Sequence, residues 1–453
     1  MRALLVILYC TLALAIVPFP QLAQVSADNS QLHFDSSRPY ALVVGDGGRL
    51  FVFDGHQLFQ FPTHASFDLT QVRWRHDGAY ALAVGDNSTL LKISISNGAV
   101  LVETIPIPLP ATDRLESITW SADDSSALIA GPGGNFLVFD GQKVTLVRSG
   151  ITRPIFASGW SPTQNIALVV GQSGLIAEFN GTITHIVDPS PTNYSFFGVG
   201  WNPSGSYALV GGDHAKLFKY QQGSFTEQNT AVLFEVAPHL IRAVAFSQDN
   251  GMGLLSGQLG LTVIATQSRC DYNIFNDANT ICLSYKRIQY YTDLNGTRVD
   301  LHRIGHFYGA GWMPGTQEAY AVGTALDGCF EPRCVRGWTL ARITSSDVTL
   351  LLQDRKSDYS LRSIDWQPTV RASNPQMFTW YLIASGSVGL AAIVMVTKRK
   401  TLKEWLGHST LSTSRRPPRT GHNSEGRIPV VPTRVFTSQK IFRPGNCGIV
   451  KPA

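Results

Sequence analysis

An aromatic residue followed eleven positions later by a glycine recurs seven times along this chain of 453 residues, and this repeat limits the fold more than any other feature. The seven pairs are Phe34 and Gly45, Trp74 and Gly85, Trp120 and Gly131, Trp160 and Gly171, Trp201 and Gly212, Phe246 and Gly257, and Trp312 and Gly323. An eighth anchor, Trp366, has no glycine partner. The first five spacings between anchors are 40 to 46 residues, and the last two are 66 and 54. Each unit is therefore expected to be one structural module, because a period of this length is typical of repeat architectures.

Each unit shows a pattern of four strands. In the clearest unit, residues 155–186, four short runs rich in β-branched and aromatic residues are separated by turn residues, which predicts strands. The last turn of three units holds Asp54-Gly55, Asp140-Gly141 or Asn180-Gly181. These dipeptides predict two-residue hairpin loops of type I′, which need positive φ at both central residues. Four strands in about 40 residues are typical of a propeller blade, whereas helical repeats would show an apolar period of 3.6 residues that is absent here.

The residues before each anchor predict how the strands pack around a central axis. The position five before the anchor is large and apolar: Leu69, Leu115, Ile155, Phe196, Ile241, Phe307 or Leu361. The position three before is mostly small: Gln71, Ser117, Ala157, Gly198, Ala243, Gly309 or Ser363. A ring of sheets has open edges unless its two ends are joined, and the strand at residues 361–366 could join them. The sequence therefore predicts an all-β, seven-bladed propeller closed by that strand. Eight blades is the alternative, although nothing after Trp366 supplies three more strands.

A family resemblance supports this fold. Residues 118–131 read Ile-Thr-Trp-Ser-Ala-Asp-Asp-Ser-Ser-Ala-Leu-Ile-Ala-Gly, which resembles the strand-turn-strand pattern of the WD-repeat and related β-propeller superfamily. The Gly-Trp-x-Pro and Ala-Val-Gly segments are also similar to those of the assembly-factor propellers of photosynthetic membranes. The resemblance covers roughly residues 31–366. It implies the fold but no activity, because Gly-His and Trp-Asp signatures are absent from most units and the sialidase-type Ser-x-Asp-x-Gly-x-Thr-Trp box does not occur.

Two apolar segments predict export and membrane attachment. Residues 1–27 combine a basic start, an apolar run and small residues before position 27, which together predict a cleaved signal peptide; an uncleaved anchor is the alternative. Residues 378–396 carry no charge over 19 positions, enough at about 1.5 Å per residue to cross most of a hydrocarbon core of about 30 Å. Trp380 and Tyr381 stand at its start and three basic residues follow it, which predicts a single transmembrane helix with a cytoplasmic C-terminus. A buried core helix is the alternative.

Charge divides the chain in the same way. Residues 397–453 have 12 Lys/Arg against 2 Asp/Glu, while residues 28–377 have 24 against 30. The predicted order is a signal peptide at 1–27, an extracytoplasmic propeller at 28–370, a stalk at 371–377, a transmembrane helix at 378–396 and a basic, disordered cytoplasmic tail at 397–453. We expect the cell membrane or another membrane of the secretory pathway. Within the tail, the basic stretch at residues 412–420 favours contact with anionic lipids over nucleic acid, because no aromatic residue accompanies the arginines there; a solvated stop-transfer flank is the alternative.

Cysteines and sequons fit an exported domain. Four of the six cysteines lie in the two longest units and predict local disulfides, Cys270 with Cys282 and Cys329 with Cys334, the economical choice among three connectivities. A zinc site is the alternative, but the eleven residues between Cys270 and Cys282 exceed the usual spacing of roughly two to four and no histidine lies close. Four sequons in predicted turns or loops are candidates for glycosylation: Asn87, Asn180, Asn193 and Asn295.

Motifs for catalysis are absent from the sequence. It has no Gly-x-Ser-x-Gly, no His-Glu-x-x-His, no phosphate-binding Gly-x-x-x-x-Gly-Lys and no calcium loop. Asp46, Asp86 and Asp213 recur directly after the repeat glycine, where a ring of them could bind a cation, but turn capping is the favoured interpretation. We therefore predict no catalytic residues, no cofactor and no metal.

One variable position predicts a binding surface. The residues four before the anchors are Thr70, Glu116, Phe156, Phe197, Arg242, Tyr308 and Arg362, and all but Thr70 are taken as the candidate binding site. If the innermost strands begin at one rim of the central channel, these side chains surround its mouth, where the family resemblance implies that ligands bind. Aromatic and arginine residues are the usual anchors of interfaces. The alternative is that the rings pack between blades while the charges reach solvent. Three residues on neighbouring loops would extend the surface if they point the same way: Arg114, Arg153 and His239.

The predicted function is non-catalytic recognition. A membrane-anchored, extracytoplasmic propeller would present one rim to a protein or a glycan. An assembly or maturation factor for a membrane complex is the alternative, and a propeller hydrolase or lyase is a third, which would need paired acids or a metal. The fold alone does not choose among partners.

Overall fold

The computed structural model describes residues 34–110, 113–182, 184–187, 194–228, 239–268, 282–326 and 335–368. Thirty β-strands in this part of the chain form seven sheets. The chain separates into Met1–Ser373 and Asn374–Ala453, and every described residue belongs to the first unit. The innermost strands of the seven sheets pack against one another in a closed cycle, so this unit is a seven-bladed β-propeller. The prediction of seven blades is confirmed, and the alternative of eight is wrong.

The blades follow one another along the chain, and within each the first strand is innermost. Blade one has β1 (Ala41–Gly45), β2 (Arg49–Phe53) and β3 (Leu58–Phe61). Blade two has β4 (Leu69–Trp74), β5 (Ala81–Gly85), β6 (Thr89–Ser96) and β7 (Ala99–Thr104), and blade three has β8 (Ser117–Trp120), β9 (Ala127–Ala130), β10 (Asn135–Phe139) and β11 (Val144–Arg148). Blade four has β12 (Ile155–Trp160), β13 (Ala167–Gly171), β14 (Ile176–Phe179) and β15 (Thr184–Ile186). Blade five has β16 (Phe196–Trp201), β17 (Ala208–Gly212), β18 (Leu217–Gln221) and β19 (Ser224–Glu227), and blade six has β20 (Ile241–Phe246), β21 (Gly253–Gly257), β22 (Thr262–Ser268) and β23 (Cys282–Arg287). Blade seven has β24 (Tyr290–Thr292), β25 (Arg298–Asp300), β26 (His306–Trp312), β27 (Ala319–Leu326), β28 (Val335–Ile343) and β29 (Val348–Asp354). The last strand, β30 (Leu361–Trp366), returns to blade one. Short 3-10 turns lie at Asp46–Gly48, Pro132–Gly134, Asp213–Ala215, Gln258–Gly260 and Leu301–Arg303. Blades one and seven depart from this simple order, as described below.

The repeat glycine marks a β-bulge on the innermost strand. In blade six the register shifts between Ile241 and Ala243, so Arg242 between them has no partner in the ladder. The same shift occurs in blades one, two, four, five and seven. A Cβ atom on Gly257 would overlap the backbone carbonyl oxygen of Leu240, and each of the other repeat glycines meets the equivalent carbonyl. The glycine therefore permits a close approach of two backbones at the bulge.

The aromatic anchor ends each innermost strand, and in blades three, five and seven its indole also links that strand to the preceding blade. The indole N–H of Trp201 donates to the carbonyl oxygen of Gly159 at 2.9 Å, and that of Trp312 donates to Ala245 at 3.1 Å. Both acceptors lie on the innermost strand of the blade before. The predicted core position, five before the anchor, is fully or almost fully buried in every blade: Leu69, Leu115, Ile155, Phe196, Ile241, Phe307 and Leu361.

The last strand closes the ring as predicted, and it also replaces the first anchor. β30 pairs with β1 and is the innermost strand of blade one. Phe34, the first aromatic residue of the repeat, lies outside any described strand and packs edge-on against Tyr40, with ring centres 5.0 Å apart. Trp366 is the anchor of blade one, and its ring lies 5.8 Å from that of Phe53. The first blade is therefore built from both ends of the propeller sequence.

The prediction of type I′ loops at the Asp-Gly and Asn-Gly pairs is wrong. None of Asp54, Asp140 and Asn180 has a positive φ. The Asp54 carboxylate instead accepts the backbone N–H groups of His56 and Gln57 at 2.8 and 2.7 Å, which caps a longer loop. Pairs with positive φ at both positions occur in other hairpins, at Asn97-Gly98 and Gln222-Gly223.

Blade seven is larger than the repeat predicts. It is a sheet of six strands in which β24 pairs parallel with β29, and β25 pairs with β24 at the outer edge. The strands β24 and β25 come from the long segment between the anchors of blades six and seven, so part of that 66-residue spacing extends the next blade.

Some predictions fall on residues outside this described part. Cys282 begins β23 and is bonded in a disulfide. The other three cysteines of the predicted pairs, Cys270, Cys329 and Cys334, are not described, so the pairings stay predictions. The described residues contain no helix of sufficient length and apolar character to cross a membrane. The predicted signal peptide, stalk, transmembrane helix and tail all lie outside them.

Three of the four glycosylation candidates are described. Asn180 and Asn295 are exposed in loops, and Asn87 is half-buried in a turn with a φ of 57°. Asn193 lies outside the described residues. Glycosylation at these sites stays a prediction.

Candidate functional site

The bulge on the innermost strand presents one side chain to the central channel in every blade except blade three. All seven residues at the predicted position are half-buried. In blade three, where β8 begins at Ser117, Glu116 lies directly before the strand. The seven line one cavity of about 260 Å³, and we call them the channel mouth: Thr70, Glu116, Phe156, Phe197, Arg242, Tyr308 and Arg362. The structure thus brings together every residue of the site predicted from sequence.

Five of these side chains form a continuous stack of rings and guanidinium groups. Phe156 and Phe197 are stacked with ring centres 5.1 Å apart and planes at 20°. The Arg242 Cζ lies 5.4 Å from the ring centre of Phe197 and 5.2 Å from that of Tyr308. The Arg362 Cζ lies 4.7 Å from the ring centre of Tyr308. These distances are within the reach of about 6 Å for cation–π attraction, so the stack joins blades four to seven and blade one.

Arg362 is held by a carboxylate. Its Nε donates to Asp46 Oδ1 at 2.5 Å, and Asp46 Oδ2 accepts the backbone N–H of Ser360 at 3.0 Å. Burial alone would lower the pKa of Arg362, but the hydrogen bond and the charge of Asp46 outweigh it and raise that pKa. Asp46 follows β1 and Arg362 lies on β30, so this ion pair joins the two strands that close the ring. Asp46 does more than cap a turn.

Arg242 has no comparable partner. It makes no hydrogen bond or ion pair with any other residue that the structure describes, and its neighbours are the rings of Phe197 and Tyr308. Burial lowers the pKa of Arg242, yet a guanidinium stays charged in proteins. Its five N–H donors are therefore available to a ligand that enters the cavity.

The remaining part of the mouth carries a carboxylate held by an arginine. The Arg114 Nε donates to Glu116 at 2.7 Å, and its Nη1 lies 3.0 Å from Asp86. Burial raises the pKa of Glu116, although the Arg114 charge acts in the opposite direction. The Thr70 hydroxyl donates to the carbonyl oxygen of Leu115 at 2.6 Å. The polar groups on this side of the channel mouth therefore already have partners within the protein.

Only one of the three neighbouring loop residues reaches the cavity. Arg114 lines it, whereas Arg153 donates to a backbone carbonyl elsewhere at 2.9 Å and His239 is buried. Arg73 also lines the cavity, although it is not among the residues predicted from the sequence. Its position signals this, because Arg73 lies two residues after Gln71 on β4 and alternate strand residues face the same side of a sheet.

A second cavity, of about 610 Å³, lies against turns that follow the aromatic anchors. Its lining is His76, Asp77, Pro203, Phe246, Gln248, Asp249, Trp312, Met313, Pro314 and Pro368. It contains no arginine and no lysine, and His76 is bonded to Asp124 at 2.7 Å. Of the two cavities, only the channel mouth is therefore lined by a cationic side chain that has no acidic partner in the described part of the chain.

The three aspartates that follow the repeat glycine do not come together. Asp46 and Asp86 bind arginines, and Asp213 accepts the backbone N–H of Ser195 at 2.8 Å. Within the described ranges, no group of three or more His, Cys, Asp or Glu residues is arranged to hold a metal ion.

Comparison with known proteins adds no argument about the fold or the function. No family profile matches the chain, and no curated protein matches it. Among the solved structures that match is the β-propeller domain of Cps50 (Swd1) from Myceliophteria thermophila, at 12% sequence identity and a TM-score of 0.46. The match covers 66% of this chain and 90% of that one. It is a similarity between propellers, and the seven sheets described above establish the propeller fold without it.

Proposed function

We propose that this protein is a non-catalytic recognition module, which binds a protein or glycan at its channel mouth on the outer side of a membrane. The observation that carries the proposal is the stack from Phe156 to Arg362, to which five blades each contribute one half-buried side chain. Aromatic and arginine residues in desolvated positions account for most of the binding energy at protein interfaces. Here each is held by its neighbours in the stack, so a partner would order few additional rotamers on binding.

The membrane location is part of the same proposal and is supported by the sequence. An apolar N-terminal segment at residues 1–27 precedes the propeller, and an uncharged segment at residues 378–396 follows it. The excess of 12 Lys/Arg over 2 Asp/Glu in residues 397–453 favours a cytoplasmic tail. In this arrangement the propeller faces partners outside the membrane.

The test is capture of the partner in native membranes. The full-length chain, an Arg242→Ala variant and an Arg298→Ala variant are crosslinked in place, purified and analysed by mass spectrometry. Arg298 is a matched control, because its Cζ also lies over a ring, 4.5 Å from the centre of Tyr290, but on strands at the outer edge of blade seven. We expect one stoichiometric partner with the native chain and with Arg298→Ala, and at least about tenfold less with Arg242→Ala, which corresponds to about 1.4 kcal/mol.

One result would count against the proposed surface, and a second would narrow the class of ligand. Equal recovery of the partner with Arg242→Ala would mean that the binding surface lies elsewhere. Recovery of the chain alone in all three samples would exclude a stable protein partner and leave a glycan as the remaining class of ligand.

A further inference from the structure

We propose that the channel mouth receives a carboxylate of an acidic protein segment, and that the guanidinium of Arg242 is the group that binds it. This inference rests on the proposed function and adds to it the chemistry of the partner. It follows from the way in which charges are paired around the cavity, from the contacts of Arg242, and from the occupied rings beside it.

The first observation is that one arginine of the cavity lacks a carboxylate. Four arginines line it: Arg73, Arg114, Arg242 and Arg362. Three of them have acidic partners at 3.9, 2.7 and 2.5 Å, which are Asp365, Glu116 and Asp46 respectively. Arg242 is the exception among these four. The charges of Asp213 and Glu116, which lie beyond ion-pair distance, only partly offset the burial of this cation, and an anion in the cavity would offset more of it.

The second observation is that Arg242 is held in place without using its hydrogen-bond donors. Phe197 and Tyr308 lie 5.4 and 5.2 Å from its Cζ, and both contacts use ring faces. Guanidinium N–H groups lie in the plane of the group and match the two oxygens of a carboxylate. The geometry therefore orients a cation while leaving its donors for a bidentate ligand.

The third observation concerns the source of the carboxylate. A sugar is usually bound with an aromatic ring against its face, and the two rings beside Arg242 are already occupied. Phe197 contacts Phe156 and Arg242, and Tyr308 contacts Arg242 and Arg362. An acidic side chain needs no free ring face beside Arg242, so the occupied rings favour it over an acidic sugar.

The experiment needs a readout at position 242, because the basic tail at residues 397–453 would dominate total binding of any acidic probe. The full-length Arg242→Lys variant is incubated with a capped triglutamate peptide and a carbodiimide, which joins a probe carboxylate to a nearby lysine amine with loss of water. An Arg298→Lys variant is the matched control. We expect at least about tenfold more peptide at position 242 than at position 298, by peptide mass spectrometry.

Coupling at the tail lysines with none at position 242 would overturn the inference, and the tail shows in the same sample that the chemistry worked. Coupling of glucuronate but not of triglutamate at position 242 would overturn the inference that the carboxylate belongs to a protein and would indicate an acidic sugar. Capped triglutamine, which has no carboxylate, should give no product.

A second measurement uses the native side chain, since lysine lacks the planar fork of arginine. Phenylglyoxal modifies accessible arginines, and triglutamate should slow the modification of Arg242 at least about threefold while that of Arg298 is unchanged. Both results are required, and unchanged modification of Arg242 would overturn the inference. If a protein partner is captured but the modification of Arg242 is unchanged, the proposed recognition function stands and only the inference that Arg242 binds a carboxylate is overturned.

Discussion

Arg362 in blade one and Arg242 in blade six occupy the same bulged position of the repeat, yet their surroundings differ. Arg362 is bonded to Asp46 at 2.5 Å, whereas Arg242 has no hydrogen bond or ion pair with any described residue. The residue that follows the repeat glycine explains this: it is Asp46 in blade one and the uncharged Gln258 in blade six. The repeat thus decides where a side chain lies, and one neighbouring residue decides whether it holds the ring together or is free for a ligand.

The largest expected effect concerns the repeat glycine, which blades one and six share. Because a Cβ atom on Gly45 or Gly257 would overlap a backbone carbonyl, Gly45→Ala and Gly257→Ala should each lower the free energy of unfolding by about 3 kcal/mol. Urea unfolding of the purified chain measures this. Gly223→Ala is the control, since nothing lies near that glycine and only its φ of 79° is unfavourable, at a cost of about 1 kcal/mol. A large loss in one blade and none in the other would mean that the bulges differ.

The next prediction separates the two arginines by stability. Arg362→Ala should lower the free energy of unfolding by about 2 kcal/mol, because it leaves the partly buried Asp46 carboxylate without its cation. Arg242→Ala should change it by less than about 1 kcal/mol, since only cation–π contacts are lost. Equal losses in the same urea titration would contradict the assignment of different roles.

A further variant should give Arg242 the acidic neighbour that Arg362 already has. Gln258→Asp supplies Arg242 with the carboxylate that Arg362 already has, so we expect partner capture to fall at least about tenfold, as for Arg242→Ala. Stability should rise slightly, by less than about 1 kcal/mol, as is usual for a partly exposed ion pair. Gln258→Asn, which adds no charge, is the control. Undiminished capture with Gln258→Asp would show that the unpaired charge of Arg242 is not needed.

The smallest expected effect is the pH dependence from Glu116. Burial raises its pKa in the folded state, so its ionisation penalises folding above that pKa, and the penalty is absent below the unfolded value of about 4.3. The stability of the native chain relative to Glu116→Gln should therefore rise as the pH falls from 7 toward about 4.3. Urea midpoints at several pH values measure this. A difference that shrinks or stays constant over this range would mean that the Arg114 charge outweighs burial.

Much of the fold could be predicted from sequence because local rules and the global ring agree. The repeat predicts seven blades, the apolar core position and closure by the strand that ends at Trp366. The exceptions have physical causes. Phe34 matches the repeat spacing, but the strand that ends at Trp366 fills the innermost position of blade one, so Phe34 packs outside the strands against Tyr40. Likewise, the Asp54 side chain accepts backbone N–H groups and so favours a longer loop than its dipeptide predicts.

The members of the candidate site could also be predicted, but their roles could not. Spacing alone brings Arg242, Tyr308 and Arg362 to one cavity. The bulge, the stack and the pairing of Arg362 with Asp46 depend on contacts between residues that are far apart in the sequence. For that reason, two arginines at the same repeat position looked equivalent in the sequence and are not equivalent in the structure.

The most direct test of the proposed recognition surface is photocrosslinking from within it. Phe156 ends the stack at the channel mouth, and Tyr290 is exposed at the outer edge of blade seven. Each is replaced in turn by p-benzoylphenylalanine in the full-length chain, which is then illuminated in native membranes. We expect a crosslinked partner from position 156 and none from position 290. A partner crosslinked from position 290 alone, or from neither position, would contradict the proposed surface.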